Sequence, residues 1–423
     1  MITARDIALS GPAHMPPAAA PAQAAPFAER LLLIVLFVTM LTSSVAFIEP
    51  SPHDFLIAPL AVTCLIAGVR FERRIVPLFL LLLVWNVAGL MALLNVPEQD
   101  LTIQYAATSV YLFFAAVVFA CLFAQNSMPR LAAMRAAYIA SAVVTALCGI
   151  AGYFHLFPHA YDLFTQNDRA MGMFKDPNVY APYLIWPALI IMTRIVYRGI
   201  RVFDLGLLGI LLIGLLLSFS RGAWFSFSVA TLISFAIFIA SAPTPQVRFR
   251  ILSYCLIGLF VLAVLVVFLL SLSSVHQMFE IRAHAIQSYD VGQGGRFRLQ
   301  ELALAALLKF PNGMGPFGFS RAHGLQQHNV YLQGFLVYGW VGGMSYILLV
   351  LTTLAVALRS AFIRTPWQPY LVTAFAAFTG NVLEGAVIDT DHWRHFFLLM
   401  GIVWGLFAAT ANYRRQQLTL SRT

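Results

Sequence analysis

Charge is what this chain has least of. Asp, Glu, Lys and Arg supply 10 % of its 423 residues, where a soluble domain carries about 25 %. Hydrophobic residues supply 60 % and mean hydropathy is +0.82. Those values exclude a water-surrounded globule and suit a bilayer as solvent. Cysteine is scarce too. Cys64, Cys121, Cys148 and Cys255 each fall inside an apolar run, without C-x-x-C spacing. Neither a disulfide framework nor a thiolate metal site is indicated, and they read as small buried hydrophobes. Alternating segments of about ten residues, the mark of a membrane β-barrel, are missing. So is any visible internal repeat of the kind many transporters carry.

Apolar runs are what the chain has in abundance. They fall near 31–48, 55–69, 75–94, 101–124, 131–157, 179–197, 202–219, 222–240, 251–272, 329–356, 368–386 and 396–412. A helix needs roughly 18 apolar residues or more to cross a bilayer. The expected fold is an all-α polytopic membrane protein, with about 12 transmembrane helices and one larger periplasmic loop between spans 9 and 10. Residues 1–28, rich in Ala and Pro, are expected to form a disordered cytoplasmic tail. Spans 1–9 then occupy 29–272, the loop 273–328, spans 10–12 residues 329–412, and a second cytoplasmic tail 413–423. Ser44-Val45-Ala46 looks like a signal-peptidase site. The long proline-rich stretch before it and the spans after it favour an uncleaved first span.

Net charge is +9. In a soluble protein that would suggest nucleic acid; here it follows topology, and no nucleic-acid partner is expected. With the N-terminus inside, the cytoplasmic segments collect most of the basic residues, among them Arg70, Arg73, Arg74, Arg130, Arg135, Arg194, Arg198 and Arg201. The first two outer loops, residues 49–54 and 95–100, hold acids and no Lys or Arg. This is the positive-inside pattern, and it places both termini in the cytoplasm. Nine basic residues break it: Arg169, Lys175, Arg221, Arg282, Arg296, Arg298, Lys309, Arg321 and Arg394 fall outside. Chemistry has to account for them.

Ser220-Arg221-Gly222 forms a hairpin of a few residues between two apolar runs. An arginine near hydrocarbon is costly, by about 2.5–3.5 kcal/mol at a helix centre. Snorkelling to lipid headgroups is the plain reading. The chemical one is a guanidinium held at headgroup depth to grip a phosphate bidentately. Further on, a short helix is expected over 279–288, and Gly292-Gln293-Gly294-Gly295 is a turn. Arg296 to Lys309 then places Phe297, Leu299, Leu302, Ala305 and Leu308 at helical spacing, as an amphipathic helix on the membrane surface would. Arg296 and Arg298 open that helix, where its N-terminus and the glycine N–H groups favour an anion such as a diphosphate. A solvated face is the plainer account of Arg298.

His328-Asn329 stands where a span begins on the outer side. An imidazole, with a pKa of about 6.5 in isolation, can take a proton from an attacking hydroxyl. Alone it would read as an interfacial cap; beside two outward arginines it reads as a base. Asp176 as N-cap and Pro177 after it are an ordinary helix start. They leave Lys175 and Arg169 as extensions of the basic surface, with Arg321 and Arg394. The stretch from Asp389 to His395 holds residue types that bind metals, and its D-x-D resembles the motif of nucleotide-sugar glycosyltransferases. An outward loop suits acidic partners that orient the arginines or the histidine better, so no metal and no cofactor are expected.

In these residues and their order the chain resembles the O-antigen ligase and polymerase superfamily of bacterial inner-membrane glycosyltransferases. The resemblance covers roughly 165–345. Ser220-Arg221-Gly222 is similar to the family's arginine hairpin, and Gly295-Arg296 followed by residues 311–319 to its periplasmic-loop pattern. His328-Asn329-Val330-Tyr331-Leu332, with Gly339 and Gly342 downstream, resembles its H-N-x-x-L…G-x-x-G signature, and residues 172–178 a common family segment. The chain departs from the pattern at Asn312-Gly313, where a more apolar pair is expected.

The resemblance implies a GT-C-like enzyme that moves a glycan from an undecaprenyl-diphosphate carrier to an acceptor hydroxyl at the periplasmic face, with inversion and without metal. Arg221, Arg296 and His328 would be catalytic. Lys175, Arg169, Arg298, Arg321, Asn329 and Arg394 would bind diphosphate or glycan more weakly. Partners would be the lipid-linked donor, lipid A–core or a second glycan as acceptor, and membrane lipids. Ligation of O-antigen to lipid A–core is the first reading, and polymerisation of an O-antigen or exopolysaccharide the alternative. Transfer to a pilin is a further member of the set. From another class, a secondary transporter or lipid-linked glycan flippase would place its polar residues near mid-membrane. Here they collect at the outer ends of spans, which favours interfacial catalysis.

Overall fold

The computed structural model describes residues 26–96, 100–283 and 295–420. The tail expected over 1–28 lies almost wholly outside the described residues. So do the glycines at 292–294 and the second half of the short helix expected over 279–288. Every apolar run is a helix. The chain opens with α1 (Phe27–Leu41), α2 (Pro52–Ile66), α3 (Val76–Ala92), α4 (Asp100–Ala124) and α5 (Ser127–Tyr153). A short excursion follows: α6 (Ala160–Phe164), then β1 (Thr165–Gln166) paired antiparallel with β2 (Arg169–Ala170). Next come α7 (Pro177–Arg198), α8 (Val202–Leu217), α9 (Arg221–Ala240) and α10 (Pro245–Leu270). α11 (Ser273–Ala283), α12 (Arg296–Lys309) and α13 (Gly318–His323) precede α14 (Val330–Ala361), α15 (Gln368–Glu384) and α16 (Arg394–Leu420).

Among the described residues, eight helices are long and apolar enough to cross a membrane: α3 with the turn before it, α4, α5, α7, α9, α10, α14 and α16. The protein is all-α and polytopic, with fewer full-length spans than the dozen expected. α1 and α2 have 15 residues, α8 has 16 and α15 has 17. At 1.5 Å per residue these rise roughly 22–26 Å, short of a hydrocarbon core of about 30 Å. Hydropathy marks a run as hidden from water but is blind to whether lipid or protein hides it. α15 makes the point. Every residue from Leu371 to Phe378 is buried, and α7, α9, α14 and α16 surround it. α10 is the reverse, with only Ile251 and Leu269 buried on a helix of 26 residues.

Close packing carries the bundle. On α16, a Cβ at Gly401 would lie 2.7 Å from the Ala116 carbonyl oxygen, and one at Gly405 2.6 Å from that of Ala120. This small-xxx-small pair lets α16 lie directly on the backbone of α4. Two buried indoles are satisfied between helices: Trp404 Nε1 donates to Thr353 Oγ1 at 2.9 Å and Trp186 Nε1 to Thr373 Oγ1 at 3.3 Å.

Two expectations for the region before α14 change. α11 starts at Ser273, earlier than the run from 279 suggests. α12 has the expected ends, but its buried face is Leu299, Ala303 and Ala306, packed with Phe319 and Leu336. Phe297 and Leu308, assigned to the same stripe from the sequence, are 51 % and 67 % exposed. The helix is apolar on two sides, and α13 and α14 take the one at i, i+4, i+7 spacing. The other, with Leu304, faces away from the protein and suits a membrane surface.

α14 is broken at Gly339, which has φ 68° and ψ −173°. A break leaves backbone groups without helical partners, and hydrocarbon offers none. The loop after α12 supplies them. Met314 N–H donates to Leu336 O at 2.6 Å, and Trp340 N–H to Pro311 O at 2.8 Å. The fit is backbone on backbone: a Cβ on Gly313 (φ 81°) would lie 2.7 Å from Val337 O, and one on Gly339 2.7 Å from Asn312 C. This explains Asn312-Gly313, where the family pattern suggests apolar residues. A broken helix is also a transporter device, but here the break is filled by the chain's own loop. Gly339→Ala needs a left-handed alanine and a sub-contact distance, so it is expected to cost on the order of 2 kcal/mol or more. Thermal unfolding in detergent measures this; an unchanged midpoint would show that the loop does not seal the break.

Candidate functional site

Four elements meet at the C-terminal end of α15. Val330 N–H, in the first turn of α14, donates to Gly385 O at 2.8 Å. Asn329 Nδ2 donates to Ala386 O at 3.0 Å, and Gln300 Nε2 of α12 reaches the same oxygen at 3.5 Å. Glu384, 2 % exposed, lays its carboxylate against the first turn of α9. A Cβ on Gly222 would stand 2.6 Å from Glu384 Oε1, and Ser226 Oγ donates to Oε2 at 2.8 Å. Arg221 precedes that glycine, Arg296 lies one turn before Gln300, and His328 precedes Asn329. The end of α15 therefore gathers the segments that carry the three residues, from three distant parts of the chain.

The arginine hairpin is built from its neighbours. Phe219 takes a left-handed conformation (φ 47°), turning the chain within a few residues between α8 and α9. Ser220 caps α9 by accepting from Ala223 N–H at 3.4 Å, and its hydroxyl donates to Asn178 Oδ1 at 3.0 Å. Arg169 Nη2 donates to the same Asn178 oxygen, and its Nε to Ser218 O, both at 2.7 Å. Buried Arg169 is thus a strut of the hairpin. Asp176 caps α7 through Asn178 N–H at 2.7 Å, as its position before Pro177 suggests. Arg221 is half-buried at the first position of α9, where the helix dipole opposes a cation. Local helix energetics do not explain an arginine there.

His328 also takes a left-handed conformation (φ 48°), anchored by the residue that follows it. Asn329 is that anchor: its Oδ1 caps α14, accepting from Tyr331 N–H at 3.0 Å and Leu332 N–H at 3.1 Å. Half-exposed His328 brings Nδ1 to 3.5 Å from Asp389 Oδ2. Asp389 Oδ1 is buried with no hydrogen-bond partner among the described residues. Burial pushes this carboxyl above the usual aspartate range, against the opposing pull of His328. A carboxylate on Nδ1 fixes the imidazole's tautomer and leaves Nε2 as the nitrogen able to accept a proton.

The second acid of the D-x-D stretch serves another histidine. Asp391 Oδ2 accepts from Tyr105 Oη at 2.7 Å and lies 3.2 Å from His392 Nδ1. His392 Nε2 is 3.0 Å from Ser109 Oγ. Burial alone would raise Asp391 and lower His392. Their mutual attraction, with the Tyr105 hydrogen bond to the acid, outweighs it, so the Asp391 carboxyl is held low and the His392 ring high. Gln333 Nε2 donates to Tyr105 Oη at 3.3 Å and Gln327 Nε2 to Gln333 Oε1 at 2.5 Å, which ties this network to the residue beside His328. The loop acids thus orient histidines, one of the roles expected for them.

The remaining basic residues are placed elsewhere. Lys175 Nζ pairs with Glu49 at 3.0 Å, and Arg298 with Glu301 one turn along α12 at 2.7 Å. Arg321 donates to Pro316 O at 3.3 Å and, with Lys309, lines a cleft of about 570 Å³ beside the 310–314 loop. Arg394 forks onto Asp54, Nε to Oδ1 and Nη2 to Oδ2, each at 2.7 Å. Sequence reasoning missed Glu384 and Asn178. A lone acid at the end of an apolar run was the available signal for Glu384.

Residues 206–347 match the family model Wzy_C, O-antigen ligase. No curated protein matches the chain. The matched segment runs from α8 into α14 and contains Arg221, Arg296 and His328. It supports the O-antigen ligase and polymerase superfamily as the family of this multi-pass membrane protein, a family of membrane glycosyltransferase type.

Two stability measurements separate structural from chemical roles. Arg394→Gln and Asp54→Asn are each expected to cost on the order of 3 kcal/mol by stranding a largely buried charge, and the double variant to recover much of that loss. Additive losses in the double-mutant cycle would mean that the pair is not the source. Asp389 works in the opposite sense. Its folded pKa stands above the unfolded one, so its contribution is present at acid pH and lost as pH rises through the folded value. Asp389→Asn is expected to raise the unfolding midpoint at neutral pH; a lowered midpoint would contradict the burial argument.

Proposed function

We propose that this protein transfers a glycan from undecaprenyl diphosphate to an acceptor hydroxyl of lipid A–core at the periplasmic face of the bacterial inner membrane. His328 Nε2 takes the proton of the acceptor hydroxyl as its oxygen attacks the anomeric carbon. The bond from that carbon to the diphosphate oxygen breaks, its electron pair leaves with the undecaprenyl diphosphate, and attack from the opposite face inverts the centre. Asp389 keeps the ring in the right tautomer and stabilises the imidazolium as it forms. Arg221 and Arg296 take up the charge that develops on the leaving diphosphate, which needs no metal. What supports this reading is that the segments carrying Arg221, Arg296 and the His328–Asp389 pair meet at the end of α15.

A polymerase would use the same steps with a second lipid-linked glycan as acceptor. The family match is common to both readings, and the acceptor decides between them. The test is complementation in a host that lacks its own ligase but makes lipid-linked O-antigen and core. Wild type is expected to restore glycan ladders on lipid A. Arg221→Ala and Arg296→Ala should each lose about 10²–10³-fold in rate, and His328→Ala about 10²–10⁴-fold, at equal membrane levels. Asp389→Asn should lose activity although more stable. Longer chains in a polymerase-deficient host, with no ladders in the ligase-deficient one, would move the acceptor to a second glycan. Full activity in all three alanine variants would end the diphosphate-clamp mechanism.

A further inference from the structure

The opposite end of the bundle has its own basic cleft. α7 begins beside the arginine hairpin at Pro177 and runs 22 residues to Arg198, a rise of about 33 Å. α15 ends at the candidate site and starts near the same far end. There the last turns of α7, the start of α5 and the start of α15 enclose a cleft of about 210 Å³, with Arg135, Arg194, Arg198, Tyr197, Tyr370 and Met128 in its wall.

The positive-inside rule asks only that arginines lie near this end. It does not ask for a cleft with several arginines in its wall. Arg135 Nη1 donates to Tyr370 Oη at 2.8 Å, which fixes its planar fork at the wall. Arg194 hydrogen-bonds Asp204 of α8 through Nη2, yet its Nε is buried without a hydrogen-bond partner among the described residues. Arg250, on α10 and within electrostatic reach of Tyr197, has Nε and Nη2 buried in the same condition. Asp204 is the acid paired there, so three wall arginines against one carboxylate leave the cleft cationic. Several guanidinium forks around one small space match the oxygens of a phosphate. Met128, Ile190 and Pro369 line the rest of the wall, where acyl chains would lie.

We propose that this cleft binds the phosphate of an anionic phospholipid headgroup, with Arg135, Arg194 and Arg198 as its ligands. A lipid held there bridges α5, α7 and α15, and so braces the two helices that also position the hairpin and the Glu384 turn. The site is independent of the transfer reaction and stands or falls on binding.

The test uses the full-length protein in nanodiscs of zwitterionic phospholipid doped with phosphatidylglycerol or cardiolipin, with bound lipids counted by native mass spectrometry. Wild type is expected to retain the anionic lipid preferentially, and less of it as salt rises. Arg135→Gln/Arg198→Gln, which spares the Arg194–Asp204 pair, should weaken retention about 25-fold, roughly fivefold per arginine. The unfolding midpoint in purely zwitterionic discs checks that the variant folds. If it does not, exposed Arg198→Gln alone carries the test, with an expected loss of about fivefold. Equal retention by wild type and variant would overturn the proposal, as would salt-independent binding. Displacement of the lipid by equimolar inorganic phosphate would show a soluble anion to be the occupant and overturn it equally.

Discussion

The constraint on which this structure depends is that helix ends and helix breaks inside an apolar medium must find hydrogen-bond partners in the chain itself. The end of α15 meets it for three elements at once. Its terminal carbonyls accept from Val330, Asn329 and Gln300, and its last acid covers the first turn of α9 through the space that Gly222 leaves. The break at Gly339 obeys the same rule, with the 311–314 loop supplying what the helix lacks. The carbonyls that follow α15 bring α12 and α14 to one place, and the Glu384 side chain brings α9 there.

Charge in so apolar a chain is used sparingly and mostly in pairs. Arg130, 3 % exposed, forks onto Glu29 and donates to two carbonyls at the C-terminal end of α4. Arg394 does the same with Asp54, and Arg169 spends its donors on Ser218 and Asn178. Such residues hold helices in register. A basic residue on the outer side is therefore not by itself a sign of substrate, and the ones with structural duties are recognised by their partners. What sets His328 apart is its contact with Asp389, and what sets Arg221 apart from Arg394, also a cation at a helix N-terminus, is that Arg394 is held by an acid.

Much of this was legible in the chain, for definite reasons. Helix existence follows from the 3.6-residue period and from the length of apolar runs, so every run became a helix. The start of α7 could be read from Asp176-Pro177 because capping is local chemistry. The His328-Asn329 pair was visible as a helix start for the same reason. The number of full-length spans was not legible, because the length of an apolar run does not fix the length of its helix: α1, α2, α8 and α15 stop at 15, 15, 16 and 17 residues. The face of α12 was misjudged because the helix is apolar on two sides and only the positions of α13 and α14 decide between them.

The sequence alone determined a membrane-embedded all-helical protein, its helix positions, and a set of cations and one histidine that the positive-inside pattern does not account for. Tertiary structure alone decided which of those meet. Asp389 lies 61 residues beyond His328 in the chain and Glu384 lies 162 beyond Gly222, and nothing in the spacing announces either contact. Pairings at such separations are set by which helices pack side by side. That is a property of surfaces and of small residues such as Gly222, Gly401 and Gly405, and one-dimensional patterns do not carry it.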